Sequence, residues 1–141
     1  MIQRNASAQW QGDLKSGAGS IRLGSGAFEG KYSFGTRFES APGTNPEELL
    51  GAAHAGCYTM ALSLELTQAG HAPVRIDTTA TVQMDRVAEK MTIVGIALKT
   101  EAEVPGISAD EFARIAEATK SSCIVSRALA SVPMTLVASL R

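Results

Sequence analysis

The sequence predicts an α+β fold, with an N-terminal β meander, a long buried central helix, a β-hairpin, two further helices and a C-terminal strand. Glycines recur between short β-prone runs before Ser40, and a well-capped, nearly uncharged segment follows them. The remaining strands and helices stand in separate runs rather than alternating, which favours α+β over a wound α/β sheet. A chain of 141 residues fits a single domain, 1–141, around one core.

The meander prediction comes from the short runs AQWQG, SIRLG and YSFGTRFE, which glycines separate. Dense glycine between β-prone runs is typical of hairpins rather than of helices. This interpretation places Arg37 at the end of a strand, shortly before the central helix.

The central helix has a clear start. Asn45 fits the N-cap, Pro46 fits the first helical position, and Glu47 and Glu48 stand where the helix dipole favours anions. Asn45 and Glu48 also have the spacing of a capping box. Gly70 is a suitable C-terminal cap.

The segment from Leu49 to Leu64 carries no charge. A membrane span needs about 20 apolar residues, and this shorter segment contains His54, so we expect a helix buried on all sides rather than a span. The small residues between Gly51 and Gly56 would let other backbone approach closely.

The second half predicts a hairpin, helices and a strand. Val74–Arg86 and Met91–Val104 are rich in β-branched residues and enclose a short link. Ser108 then fits the N-cap of a helix that buries Phe112, Ile115 and Ala116. A third helix, CIVSRALA, starts at Cys123, and PMTLVASL reads as the last strand.

Composition excludes some functions. The net charge is −1 and the basic residues are scattered, unlike the concentrated positive face of a nucleic-acid-binding protein. The N-terminal residues MIQRNASAQW lack the apolar region of a secretory signal, so we expect a cytoplasmic protein without a membrane partner.

The two cysteines, Cys57 and Cys123, are the main candidates for chemistry. They do not form a CxxC motif, and a cytosolic pair is commonly catalytic, redox-sensing, metal-binding or simply buried. Apolar surroundings would raise the pKa of Cys57, so a reactive Cys57 needs a cation from elsewhere. Cys123, at a helix start, would meet a dipole that favours the thiolate, and Arg127 either adds a charge or faces solvent.

Several alternatives stay open at this level. His54 shares a helix face with Cys57, which permits a Cys–His nucleophile, although a packed histidine also explains it. A metal site would lack any known ligand spacing. Arg37 is the first candidate for the missing cation or else a surface charge, and Glu47 is explained by the helix dipole alone.

Taken together, GTNPEELLGAAHAGCYTMAL, KSSCIVSRAL and the final strand resemble the OsmC/Ohr family, nearest to its OsmC branch. The similarity extends from AQWQGDLKSGAGS through FGTRFE to ALKTEAEVPGIS. In the first motif a glutamate follows Asn-Pro, and a cysteine comes ten residues later, at Cys57.

This resemblance implies a thiol-dependent peroxidase, with Cys57 as the peroxidatic cysteine and Cys123 as the resolving one. It makes Arg37 the residue that activates the thiolate and Glu47 its carboxylate partner. It also implies an intertwined homodimer with sites at the interface and no bound cofactor. The substrates would be organic hydroperoxides ahead of hydrogen peroxide, and the reductant a dithiol of lipoyl or thioredoxin type. The family's second cysteine, which corresponds to Cys123, is typically followed by proline, whereas this chain has Ile124 there.

Two other classes of function remain possible from the sequence. One is a redox sensor or lipid-binding module with negligible turnover. The other is a Cys–His hydrolase that uses Cys57 and His54.

Overall fold

The computed structural model describes all 141 residues, which divide into two compact units, Met1–Leu49 and Leu50–Arg141. The single-domain organisation therefore stays a prediction. In chain order the elements are β1 (Ala6–Gln11), β2 (Ala18–Leu23), β3 (Glu29–Tyr32), α1 (Phe34–Phe38), α2 (Pro46–Gln68), β4 (Arg75–Val87), β5 (Lys90–Glu103), α3 (Ala109–Ser122), α4 (Ile124–Ala128) and β6 (Met134–Leu140). This order confirms the predicted α+β class.

The first sheet is the predicted meander, with β1, β2 and β3 paired antiparallel in sequence order. Gly19 on β2 pairs with Trp10 on one side and Tyr32 on the other. The Trp10 and Tyr32 rings meet across it with centroids 5.2 Å apart. A Cβ at Gly19 would lie 2.7 Å from the Tyr32 ring and 2.9 Å from the Trp10 ring, so this aromatic contact requires glycine.

The expected strand through YSFGTRFE is wrong after Tyr32, because Phe34–Phe38 forms the short helix α1. Ser33 and Thr36 form a full capping box: the Ser33 hydroxyl accepts from the Thr36 N–H, and the Thr36 hydroxyl accepts from the Ser33 N–H. This reciprocal cap satisfies two backbone donors and outweighs the β preference of the aromatic residues. Arg37 therefore lies on a helix, not at a strand end.

The start and end of α2 are as predicted. Asn45 Oδ1 accepts from the Glu48 N–H at 2.8 Å, which confirms the N-cap. The capping box is wrong, because the Glu48 carboxylate instead accepts from the Thr44 hydroxyl at 2.9 Å. At the other end Gly70 has a φ of +88°, and the His71 N–H donates to the Leu66 carbonyl.

Helix α2 is not buried on all sides, contrary to the sequence prediction. Tyr58, Leu62 and Leu66 are 0% exposed and form part of the core. Another stripe, at helical spacing, is exposed and apolar: Ala53, Gly56, Met60 and Leu64. Met60 is 77% exposed and Leu64 is 55% exposed, which is unusual for side chains of this size.

The second sheet has the order β4-β5-β6, with β4 and β5 antiparallel and β6 parallel to β5. The predicted hairpin is confirmed, and its turn residues Ala88 and Glu89 both have positive φ. The core of this unit joins this sheet to α2 and α3 through buried apolar side chains that include Leu98, Ala102, Phe112, Ile115 and Ala116. No helix combines the length and apolarity that crossing a membrane requires.

Candidate active site

Cys57 lies in the middle of α2 and is half-buried against the core. The Val125 N–H, at the start of α4, donates to Cys57 Sγ at 3.4 Å. Burial raises the pKa of the Cys57 thiol, and the neighbouring Cys123 thiol raises this pKa further, while the Val125 N–H opposes both. At neutral pH the surroundings that this chain provides therefore favour the thiol over the reactive thiolate.

Cys123 is buried, at 2% exposure, between α3 and α4. Its N–H donates to the Thr119 carbonyl and closes α3, while its side chain is the N-cap of α4 and accepts from the Ser126 N–H at 3.3 Å. The helix predicted to begin at Cys123 thus begins one residue later, at Ile124. Ile124 takes the first helical position without the proline found in the family.

The fold brings the two cysteines together, although a long stretch of sequence separates them. Both are free thiols. The Val125 N–H donates to Cys57 Sγ and the Ser126 N–H donates to Cys123 Sγ, so both sulfurs lie at the first turn of α4. The elements that carry them are distinct: Cys57 projects from α2, and Cys123 occupies the junction of α3 and α4.

A buried polar chain continues from Cys123. Ser126 Oγ lies 3.0 Å from Cys123 Sγ and 2.7 Å from His54 Nε2. His54 is 0% exposed and Ser126 is 3% exposed. Burial lowers the pKa of His54, which keeps the imidazole neutral. The second ring nitrogen, Nδ1, is buried without a hydrogen-bond partner.

Sequence reasoning missed Ser126 and expected His54 to act on Cys57 or to be a packed histidine. The structure directs the His54 Nε2 atom to Ser126 instead. One signal was available in the sequence: Ser126 is three residues after Cys123, and an N-cap side chain reaches that position. Arg127, the predicted neighbour of Cys123, is exposed.

Arg37 and Glu47 form a close ion pair. The Arg37 Nη2 atom lies 2.7 Å from Glu47 Oε1, and Nε donates to both carboxylate oxygens at 3.2 Å. The Glu47 side chain is only 9% exposed, whereas that of Arg37 is 38% exposed. The carboxylate raises the pKa of the Arg37 guanidinium and fixes its plane. The guanidinium therefore stays partly exposed while the carboxylate holds it.

A groove of about 280 Å³ lies beside this guanidinium in the first unit. Its walls are largely apolar and aromatic, and the residues that line it are Trp10, Leu14, Tyr32, Ser33, Phe34, Arg37 and Phe38. The Arg37 guanidinium carbon lies 5.3 Å from the centre of the Phe38 ring, within the range of a cation–π contact. The groove therefore combines one fixed positive charge with apolar walls.

Metal-ligating side chains do not cluster in this structure: no group of three or more His, Cys, Asp or Glu residues could hold a metal ion.

Comparison with known proteins gives a consistent result. Residues 38–137 match the family described as OsmC-like protein. The chain is 50% identical over 129 residues to peroxiredoxin OsmC of Escherichia coli, covering 91% of this chain and 90% of that protein.

Solved structures show the same fold. An organic hydroperoxide resistance protein OsmC from Legionella pneumophila has a TM-score of 0.72 at 19% identity, covering 99% of this chain and 98% of that one. The organic hydroperoxide resistance protein OhrB of Bacillus subtilis has a TM-score of 0.70 at 16% identity, covering 97% and 98%.

The burial of His54 predicts a pH-dependent stability. Its pKa is lowered from 6.5 in the folded protein, so below pH 6.5 the unfolded chain binds a proton that the folded chain does not. The free energy of unfolding should therefore fall between pH 7 and pH 5. Urea unfolding measured across this range should show a shallower slope for His54→Gln than for the wild type.

His71→Gln is the matched control, since His71 is half-buried beside Glu111 rather than fully buried. This variant should keep the slope attributed to His54. Equal slopes in His54→Gln and the wild type would contradict a neutral, buried His54.

Proposed function

The chain belongs to the OsmC family, and on that premise we propose that it reduces organic hydroperoxides through a redox cycle of Cys57 and Cys123. Its 50% identity to a peroxiredoxin over most of both chains supports a thiol-dependent peroxidase. The observation that carries the cycle is that both free thiols, one from α2 and one from the α3–α4 junction, accept hydrogen bonds from the first turn of α4.

In the first step the Cys57 thiolate attacks the terminal oxygen of the hydroperoxide. The O–O bond breaks, the alkoxide takes up a proton and leaves as an alcohol, and Cys57 becomes a sulfenic acid. In the second step the Cys123 sulfur attacks Cys57 Sγ, so that a disulfide forms and water leaves. An external dithiol of lipoyl or thioredoxin type then reduces the disulfide by exchange.

The first step requires a cation, because burial raises the pKa of Cys57. We assign this role to Arg37, whose guanidinium Glu47 holds in one orientation. Glu47 and Cys57 both lie on α2, which is unbroken from Pro46 to Gln68, so a helix break near Gly51 is not available. The ten steps from position 47 to position 57 rise about 15 Å along a helix. The Arg37–Glu47 pair would therefore act on Cys57 of a second subunit.

The exposed stripe of α2 supports such a homodimer. Ala53, Gly56, Met60 and Leu64 form a continuous apolar strip at helical spacing. Small residues at positions 53 and 56 would let a second chain approach closely, and Met60 and Leu64 would gain cover. Cys57 lies next to Gly56, so a subunit on this strip would be adjacent to the peroxidatic sulfur.

The apolar groove beside Arg37 supports the substrate class. Trp10, Phe34 and Phe38 offer contact to a hydrocarbon tail, and the Arg37 guanidinium would lie next to the reacting oxygens of a bound hydroperoxide. Each buried methylene contributes about 0.8 kcal/mol, a gain that hydrogen peroxide cannot make. Organic hydroperoxides should therefore be preferred over hydrogen peroxide. The cytoplasmic location remains a prediction.

Steady-state turnover tests the proposal. Cumene hydroperoxide and hydrogen peroxide are compared with dihydrolipoamide or reduced thioredoxin as the reductant. We expect a higher kcat/KM for cumene hydroperoxide, and no turnover in Cys57→Ser, which lacks the attacking sulfur. Cys123→Ser should consume about one equivalent of peroxide and then stop as Cys57 is over-oxidised. Oxidation of Cys57 without turnover under either reductant would instead favour a redox sensor.

The role of Arg37 predicts a shift in the pH–rate profile. Without the guanidinium the Cys57 pKa is governed by burial, so Arg37→Ala should slow the oxidation of Cys57 at pH 7 by about 10-fold or more. The rate should recover partly at alkaline pH, where the thiolate forms without help. Arg127→Ala, which removes an exposed arginine, is the control. An identical profile for Arg37→Ala and the wild type would exclude Arg37 as the activating cation.

Composite sites predict complementation between subunits. A heterodimer of a Cys57→Ser chain and a Glu47→Ala chain would carry both defects in one site and leave the other site intact. Co-expression with two affinity tags allows this heterodimer to be purified, and its turnover should approach half that of the wild type. Sites built within one chain would leave a defect in both sites, and no fully active site would appear.

A further inference from the structure

We propose that Ser126, held by His54, receives the proton of Cys123 when the disulfide forms. Ser126 would then be a catalytic residue of the resolving step, and His54 a positioning residue that acts through it. The inference rests on the proposed function, because it assigns the second step of that cycle.

The geometry forms an uninterrupted buried chain. Cys123 Sγ, Ser126 Oγ and His54 Nε2 follow one another at 3.0 Å and 2.7 Å. The Ser126 N–H also points at Cys123 Sγ, at 3.3 Å. Backbone and hydroxyl of the same serine thus both meet the sulfur that must lose its proton. Ser126 Oγ can therefore accept the thiol proton, and the Ser126 N–H can donate to the sulfur that has lost it.

A serine with a purely structural role could donate its hydroxyl to a nearby backbone carbonyl. The hydroxyls of Thr59, Thr67 and Thr119 each donate to the carbonyl one helical turn before them. Ser126 bonds instead to a histidine 72 residues away in the sequence. This choice leaves His54 Nδ1 buried without a partner, which costs stability that an apolar side chain would not lose. The chain therefore retains the His54–Ser126 pair beside the resolving cysteine although this pair lowers the stability of the fold.

The proposed step moves a proton from Cys123 to His54 in two transfers through Ser126. The Cys123 thiol gives its proton to Ser126 Oγ, while the Ser126 hydroxyl proton passes to Nε2 of neutral His54. The Cys123 thiolate then attacks Cys57 Sγ, the S–O bond of the sulfenic acid breaks, and hydroxide leaves. The hydroxide takes up one proton to become water, and His54 gives up one proton to return to its neutral form. The sum is one sulfenic acid and one thiol converted to one disulfide and one water.

The test separates the two steps in a single experiment. Reduced protein is mixed with one equivalent of cumene hydroperoxide, quenched at timed intervals with dimedone and N-ethylmaleimide, and analysed by intact mass. In Ser126→Ala the oxidation of Cys57 should keep its wild-type rate, whereas disulfide formation should slow by about 10-fold or more, with the sulfenic acid trapped by dimedone. The unchanged first step also shows that the site is folded.

Four further variants make the result specific. Ser126→Thr keeps a hydroxyl and should restore most of the second rate. His54→Gln, which offers a donor but cannot take up a proton, should slow the second step as Ser126→Ala does. The double variant, which combines Ser126→Ala with His54→Gln, should be no slower than either single variant. Thr100→Val removes a buried hydroxyl that bonds to the Asp77 carbonyl, and should leave both rates unchanged.

Disulfide formation at the wild-type rate in Ser126→Ala would overturn the assignment of Ser126 and leave the proposed function intact. Additive slowing in the double variant would overturn the coupling of His54 to Ser126. Failure of wild-type Cys57 to react with the peroxide would overturn the proposed function itself, and this assignment with it.

Discussion

Burial governs the chemistry of the two thiols. Cys57 packs against the core from the middle of α2, and Cys123 is enclosed where α3 ends and α4 begins. Burial disfavours the Cys57 thiolate that the proposed first step consumes. In the proposed cycle the protein therefore supplies a charge to Cys57 and a proton acceptor to Cys123.

In the proposed cycle the two sulfurs are activated in different ways. Cys57 would be activated by a full positive charge, the Arg37 guanidinium of a second subunit, which Glu47 orients beside the aromatic groove. Cys123 would instead lose its proton through a neutral hydrogen-bonded chain that runs through Ser126 to His54. A permanent charge suits the attacking thiolate, because it must exist before substrate arrives. A neutral chain suits the resolving thiol, which needs to lose its proton only after Cys57 has been oxidised.

The sequence was most informative where structure depends on neighbours along the chain. The N-cap at Asn45, the stop at Gly70, the hairpin between β4 and β5 and the cap at Ser108 all rest on local hydrogen bonds or turn chemistry. The same local logic failed at Phe34–Phe38, where aromatic residues suggested a strand and the Ser33–Thr36 capping box formed a helix. The Glu48 carboxylate also has two possible donors, the Asn45 N–H of a capping box and the Thr44 hydroxyl. The sequence motif does not show that the Thr44 hydroxyl is preferred.

The candidate site was only partly accessible from sequence. The resemblance to a family supplied Cys57, Cys123, Arg37 and Glu47, whereas composition and spacing alone left several roles open for each. The His54–Ser126 contact joins two elements that only the tertiary fold brings together, so no local pattern could reveal it. The exposed stripe of α2 was hidden for a related reason: an almost wholly apolar segment does not indicate which face its own chain covers.

The central claim is that hydroperoxide joins the two cysteines of one chain. Peptide mapping of the wild-type protein after one equivalent of cumene hydroperoxide, with free thiols blocked before digestion, tests it most directly. We predict one linked peptide pair that contains Cys57 and Cys123 of the same chain, the loss of two thiols per peroxide and monomers on non-reducing electrophoresis. Disulfide between two copies of Cys57, or oxidation of Cys123 while Cys57 stays a thiol, would contradict it.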